Sequence, residues 1–340
     1  MKRPVSTTGS GTAQPPGRTP HSIAWRASGT TQPQAPLRCP GGEDSLPEAR
    51  EAPQARPPAR EARWRRGRRA GTRQVPPVRG RGIRNALRAE WTKVRTAPGP
   101  VWLLLGAAAL TIALGAATAA ATRCPAAGCG QDPAKVSFTG IDLGQAVVAV
   151  VAVLAISTEY GNGMIATTLT AMPRRITVLA AKAAVLTGLV LAAGTAAALG
   201  ALLAGRLILP GHGFTAAHGF APLSLAQGPV LRATAGSVLY LALVALLSLG
   251  IAAAVRDSAV GIGAVLGLLY LFPIVAATVP DQHLERHLMQ AAPMTAGLDI
   301  QAITGLRALP LTPWEGLGVL AAWAAGALLA GGLALRFRDA

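Results

Sequence analysis

"STEYGNGMIATTLTAMPRRITVLAAK", residues 157–182, interrupts an otherwise almost unbroken apolar chain. Runs of Val, Ala and Leu stand on either side. The stretch itself carries Glu159, Gly161, Gly163, Pro173 and the pair Arg174–Arg175. A helix needs about 20 apolar residues to cross a hydrocarbon core about 30 Å thick. A featureful gap between two such runs therefore reads as a membrane-surface segment between two spans. That reading sets the class: an all-α, polytopic membrane protein and not a soluble enzyme.

Working outward, six apolar runs appear, at roughly 101–122, 141–158, 183–205, 233–255, 259–279 and 314–335. Each is long enough to span at about 1.5 Å of rise per residue. The second is the shortest. No period of 20–50 residues repeats, which excludes a solenoid.

The chain of 340 residues is 51% hydrophobic with mean hydropathy +0.39, but that average joins two unlike regions. Residues 1–80 are rich in Pro, Gly, Arg, Ser and Gln and hold no apolar run. Of the net charge of +17, residues 1–100 supply most, with 20 Lys/Arg against 6 Asp/Glu. A run such as "REARWRRGRRAGTR" (60–73) has the charge to meet nucleic acid or anionic lipid. The composition predicts a disordered, solvated basic tail over 1–80 and no specific nucleic-acid partner. Its bias toward Ala, Gly, Pro and Arg also leads us to expect that part of 1–80 is an over-extended start. The functional chain would then begin near Val75 or Val78, ahead of a six-helix domain at 81–340. No apolar segment of the signal-peptide kind follows the charged start.

Lys/Arg bias sets the orientation. With the N-terminus inside, the segments 81–100, 159–182, 256–258 and 336–340 hold 11 Lys/Arg in 52 residues, against 6 in 79 for 123–140, 206–232 and 280–313. Both termini are then cytoplasmic. Asp142 and Glu315 fall in first helical turns, where an anion suits the dipole. Lys182 and Arg232 stand at span ends, from which they can snorkel to headgroups. No Asp, Glu, Lys, Arg or His stands near the centre of a span, although ion-coupled transporters usually mark their path with one. The energy, if any is used, comes from elsewhere.

Common chemistries find no motif. The four lysines (Lys2, Lys93, Lys135, Lys182) all lie outside a G-x-x-x-x-G-K-[ST] pattern, so the chain has no ATPase site of that kind. Neither G-x-S-x-G nor H-E-x-x-H occurs, and no catalytic residue, cofactor or metal is expected. His283 and His287 share a helix face in "DQHLERHL", but a metal would need a further fixed ligand, and the polar face of an interfacial helix is the expectation. Cys124 and Cys129, on the outer side, either form a small-loop disulfide or remain two thiols. Gly263 and Gly267 form a G-x-x-x-G ahead of Pro273, which should kink the fifth span.

Two segments carry more information. In "GIRNALRAEWTKVR" (82–95), Ile83, Leu87, Trp91 and Val94 recur at helical spacing while Arg84, Arg88, Lys93 and Arg95 fill the remainder. This is an interfacial amphipathic helix that touches membrane lipid. Within the opening stretch, Asn162 can cap a short helix "GMIATTLTAM" with Ile165, Leu169 and Met172 on one face, ended by Pro173. Glu159 can pair with Arg174, Arg175 or Lys182.

The run "LRAEWTKVRT" (87–96), then "LGQAVVAVVAVLAISTEYGNG" (143–163), then "TTLTAMPRRITVLAAK" (167–182), resembles the permease subunits of export-type (type-2) ATP-binding-cassette transporters. The likeness covers roughly 83–340 in topology and is nearest to six-span proteins of high-GC Gram-positive (actinobacterial) bacteria. It implies a bacterial plasma-membrane protein that binds no cofactor itself and relies on ATP used by a partner. It implies two partners: a cytoplasmic ATPase subunit and a second permease chain, in a homo- or heterodimer. The interfacial helix (82–95) and a coupling helix (160–173) would contact the ATPase, with Glu159, Tyr160, Ile165, Leu169, Arg174 and Arg175 in the coupling segment. "DQHLERHLMQ" would lie in an outer interfacial or re-entrant element. The alternative is a six-span scaffold, sensor or immunity protein that transports nothing.

Overall fold

The computed structural model describes residues 81–124, 130–161 and 175–337, without the side chains of 81, 82, 161 and 175. All of these lie in the unit Val75–Ala340. Among the described residues every regular element is helical. Ten α-helices follow in order: α1 Arg81–Thr96, α2 Gly99–Ala121, α3 Pro133–Phe138, α4 Ile141–Gly161, α5 Arg175–Ile208, α6 Gly228–Val255, α7 Ser258–Thr278, α8 Gln282–Ala291, α9 Pro293–Leu298 and α10 Pro313–Phe337. Short 3-10 turns occur at Leu209–His212, Ala216–His218, Asp299–Gln301 and Leu306–Ala308. Six helices (α2, α4, α5, α6, α7 and α10) are long and apolar enough to cross a membrane.

The bundle is built around α6. Inside the bundle lie 67% of its apolar stretch and 56% of that of α4, against 22–33% for the other four. α10, α4, α5 and α7 pack against α6, while α2 lies on α5 and α4, and α1 lies on α5. α6 and α10 approach each other closely. A Cβ on Gly250 would sit 2.4 Å from the Ala327 backbone, and one on Gly331 would sit 2.6 Å from the Gly250 carbonyl oxygen. Backbones that touch in this way need small residues. The expected G-x-x-x-G is a different case: Gly263 and Gly267 have open space where a Cβ would go. The two glycines stand on a face that meets no other helix among the described residues. Pro273 lies inside α7 without ending it.

Helix lengths correct the expected spans, most at the inner end of α5 and, by five residues, at the outer start of α6 (Gly228, not 233), inner and outer being named after the orientation that the charge count predicts. α5 begins at Arg175, not 183, and its 34 residues make it about 51 Å long at ~1.5 Å per residue. This exceeds the hydrocarbon core of about 30 Å. Of the featureful stretch 157–182, residues up to 161 belong to α4 and those from 175 onward to α5. The predicted short helix, with Ile165, Leu169 and Met172, lies outside the described residues, as does Arg174 beyond it.

At the outer end, side chains tie the connections together. Asp132 caps α3 by accepting from the Ala134 and Lys135 amides. Its second oxygen accepts from the amides of Ile303 (2.6 Å) and Thr304 (2.7 Å) and from the Thr304 hydroxyl (3.1 Å). The Cys124 amide donates to the His212 carbonyl at 2.9 Å. Cys124 is buried and disulfide-bonded, while Cys129 lies outside the described residues. Arg232 does not snorkel; its guanidinium donates to the Ala302 carbonyl. Deeper in, the Tyr240 hydroxyl donates to the Gln145 side-chain carbonyl, and the Tyr270 hydroxyl to the Asp142 backbone carbonyl. α8 carries His283 and His287 with ring centroids 4.5 Å apart, and among the described residues no group of three metal-ligating side chains forms.

Candidate functional site

Four charged side chains from three helices meet at the inner end. α1 supplies Glu90 and Lys93, α4 supplies Glu159 in its last turn, and α5 supplies Lys182 two turns after its start. Lys93 Nζ lies 2.8 Å from Glu90 Oε1 and 2.6 Å from Glu159 Oε1. Lys182 Nζ lies 2.8 Å from Glu90 Oε2 and 2.9 Å from Glu159 Oε1. The result is a closed ring of alternating sign and zero net charge. Side-chain exposure is 5% for Glu159, 6% for Lys182 and 10% for Glu90, whereas Lys93 is 41% exposed. Glu159 Oε2 is buried without a hydrogen-bond partner among the described residues.

A buried charge is tolerated only where opposite charges and hydrogen bonds replace water. Here each carboxylate receives two ammonium groups and each ammonium serves two carboxylates. At Lys93, burial pulls the pKa down, but hydrogen bonds to Glu159 and Glu90 outweigh it and hold the ammonium above its ordinary value. The ring therefore ties α1, α4 and α5 together through four ion pairs.

Tyr160, next to Glu159, extends the contact. The Arg256 guanidinium stands 5.4 Å from the Tyr160 ring centroid, and it also donates to the Ala334 carbonyl of α10 at 3.0 Å. Arg256 closes α6 in the left-handed region (φ 65°), a conformation that non-glycine residues adopt only when the surroundings hold them there. The inner ends of α4, α6 and α10 are thus joined by one side chain.

The site residues expected from sequence divide as follows. Glu159 is in the ring, bonded to Lys182 as one of the three expected alternatives. Lys182 is 5% exposed and turned into the bundle, not toward headgroups. Arg175 opens α5. On α1, the expected apolar stripe is not the packed face. Ile83 and Trp91 are each 50% exposed, Leu87 and Val94 are half-buried, and the face against the bundle is Ala86–Glu90. The stripe is left largely off the bundle, and Ala86 and Glu90 carry the contact with it. Sequence reasoning missed Glu90 and Lys93. The available signal was a single carboxylate in an otherwise basic helix, set i,i+3 from a lysine.

Six span-length helices, five of them assembled about the buried α6, with a surface helix tied to the bundle by charge, define a multi-pass membrane protein whose inner helix ends are joined. A family model described as ABC-2 family transporter protein matches residues 86–274, more than half of the chain, and the chain belongs to that family. It is thus a membrane-spanning permease component of an ATP-binding-cassette transporter, and the match takes in all four ring residues. No curated protein matches the chain.

Proposed function

We propose that this chain is the permease subunit of an ATP-driven exporter, and that the ring Glu90–Lys93–Glu159–Lys182 passes movement from a separate cytoplasmic ATPase into α4 and α5. One observation carries the reading: the ring joins the helices that bracket residues 162–174 to the surface helix α1. A load on either α1 or 162–174 then reaches the same two spans. ATP binding and hydrolysis belong to the partner, and a second permease chain completes the transporter. The protein sits in a bacterial plasma membrane with both termini cytoplasmic, the orientation that the Lys/Arg asymmetry favours.

The test is affinity purification of the tagged chain from native membranes in mild detergent, with co-eluting chains identified by mass spectrometry. A stoichiometric ATP-binding-cassette ATPase is expected. Charge reversal at Arg174 and Arg175 should weaken its association or transport while expression persists. Intact protein without an ATPase, under conditions where a control transporter keeps its own, would overturn the reading in favour of a six-span scaffold, sensor or immunity protein.

A further inference from the structure

At the opposite end of α4 from the ring, an open cleft of about 420 Å³ is walled by three separate segments: α3, the first turn of α4, and the turn after α9. Its size is in the range of sites for small organic molecules. Asp142 and Asp299 present carboxyl groups to it, and Val136 and Leu298 contribute apolar wall. Asp132 also borders the cleft, but its two oxygens are consumed by the backbone and the Thr304 hydroxyl, so its role there is structural.

The remaining charges are incompletely matched. The Asp142 carboxyl has no hydrogen-bond partner among the described residues. Asp299 has Lys135 Nζ at 3.4 Å, long for a charge-assisted bond, and that lysine side chain is 42% exposed. Burial pushes the Asp299 carboxyl above its ordinary range even with Lys135 beside it, so the carboxylate is under-compensated. A second, independent observation points the same way. Gln301 is 4% exposed in the cleft wall, and its amide nitrogen has no hydrogen-bond partner among the described residues. An unmet buried amide donor calls for an acceptor.

We propose that this outer cleft binds an amphipathic organic ammonium. The cationic head would lie between Asp142 and Asp299, displacing the exposed Lys135 side chain. The apolar body would rest on Val136 and Leu298, and an acceptor oxygen would meet Gln301. Lys135 is then a tethered stand-in that competes with the ligand. The site goes beyond the coupling role at the inner end, because ligand can bind whether or not an ATPase is attached.

The experiment uses the full chain in lipid nanodiscs, titrated with dansylcadaverine and followed by fluorescence anisotropy, with empty nanodiscs subtracted. This probe carries a primary ammonium, a flexible apolar arm and a sulfonyl oxygen. We expect saturable binding, weakened about tenfold or more by Asp142→Asn and by Asp299→Asn, as loss of a charge-assisted contact implies. Lys135→Ala should tighten it. The N-acetylated probe, which lacks the charge, should not saturate on the unaltered protein, and this arm needs no variant to fold. Absence of saturable binding, equal binding of the acetylated probe, or unchanged affinity in the Asp142→Asn/Asp299→Asn double variant would each overturn the proposal.

Discussion

Lys182 Nζ lies 2.9 Å from Glu159 Oε1, so the start of α5 and the end of α4 are pinned together at the point where the chain leaves one helix and later enters the other. A displacement of residues 162–174 would otherwise divide between two independent helices. With this pair in place, and with Glu90 and Lys93 completing the ring, α1, α4 and α5 are held to one another at their inner ends. The arrangement is dense enough in charge that its parts cannot be removed one at a time without cost.

Lys182→Met tests that cost. Methionine keeps the length of the side chain but leaves Glu90 and Glu159 buried with only the half-exposed Lys93 between them. Breaking a buried pair from one side typically costs about 3–5 kcal/mol, and thermal or denaturant unfolding of the purified protein should show a loss of that order. Adding Glu159→Gln to Lys182→Met should cost less than the sum of the two single changes, because the orphaned charge is then gone. Strict additivity would mean that the two side chains do not act on each other.

Lys93 predicts a pH dependence with a definite sign. Its ammonium is held above the ordinary 10.5. A raised lysine contributes stability that is fully present below its unfolded value and is lost as pH rises through the folded value. Melting curves of the unaltered protein should therefore show no loss from this group between pH 7 and pH 9, and a fall only above about pH 10.5. Lys93→Ala, at a 41% exposed position, should destabilise by about 1 kcal/mol and flatten that alkaline fall. An unchanged alkaline limb in the variant would remove Lys93 from the ring's energetics.

Much of the fold was legible in the sequence because membrane spanning is a one-dimensional constraint. Apolar runs of sufficient length must be helices, and six runs became six helices. The helix at 81–96 was legible for a similar reason, since Ile83, Leu87, Trp91 and Val94 repeat at helical spacing. Which face of it packs was not legible. Hydrophobicity points toward the core in water, but beside a bilayer it points equally well toward lipid, and here Trp91 goes outward while Glu90 goes in. Lys182 misled by the same logic: a charge near a span end is ordinarily drawn to headgroups, and only tertiary placement of Glu90 and Glu159 turns it inward. The coupling of loop to loop by Asp132 was invisible, since its partners Ile303 and Thr304 lie 171 and 172 residues away.

Asp132 offers a test at the other end of the molecule. Its carboxylate collects the amides that start α3 together with two amides and a hydroxyl from the segment after α9. Asp132→Ala removes all of them at once, from donors that are part-buried or exposed, which predicts a loss of about 1–2 kcal/mol. Asp132→Asn keeps the cap acceptor and part of the bridge, so it should lose about half as much. Hydrogen exchange at residues 303 and 304 should accelerate in the alanine variant. If the two variants behaved alike, the second carboxylate oxygen would have no role in joining the two outer segments.

Asp299 gives the acid-side counterpart. Burial raises its carboxyl above the ordinary 3.8, and Lys135 opposes that only in part. A carboxyl whose folded pKa is raised favours its protonated form in the fold. Its contribution is thus fully present below the ordinary value and is lost as pH rises through the raised one. The unaltered protein should gain stability as pH falls from 7 toward 4, and Asp299→Asn should abolish that part of the gain. Asparagine resembles the protonated carboxyl, so the variant should also be the more stable of the two at pH 7. The Lys135 contact it sacrifices is long and, on the lysine side, 42% exposed, and such pairs are worth about 1 kcal/mol or less. A variant less stable than the parent at pH 7, with the same acid profile, would show instead that the Lys135 pairing outweighs the burial of the carboxylate.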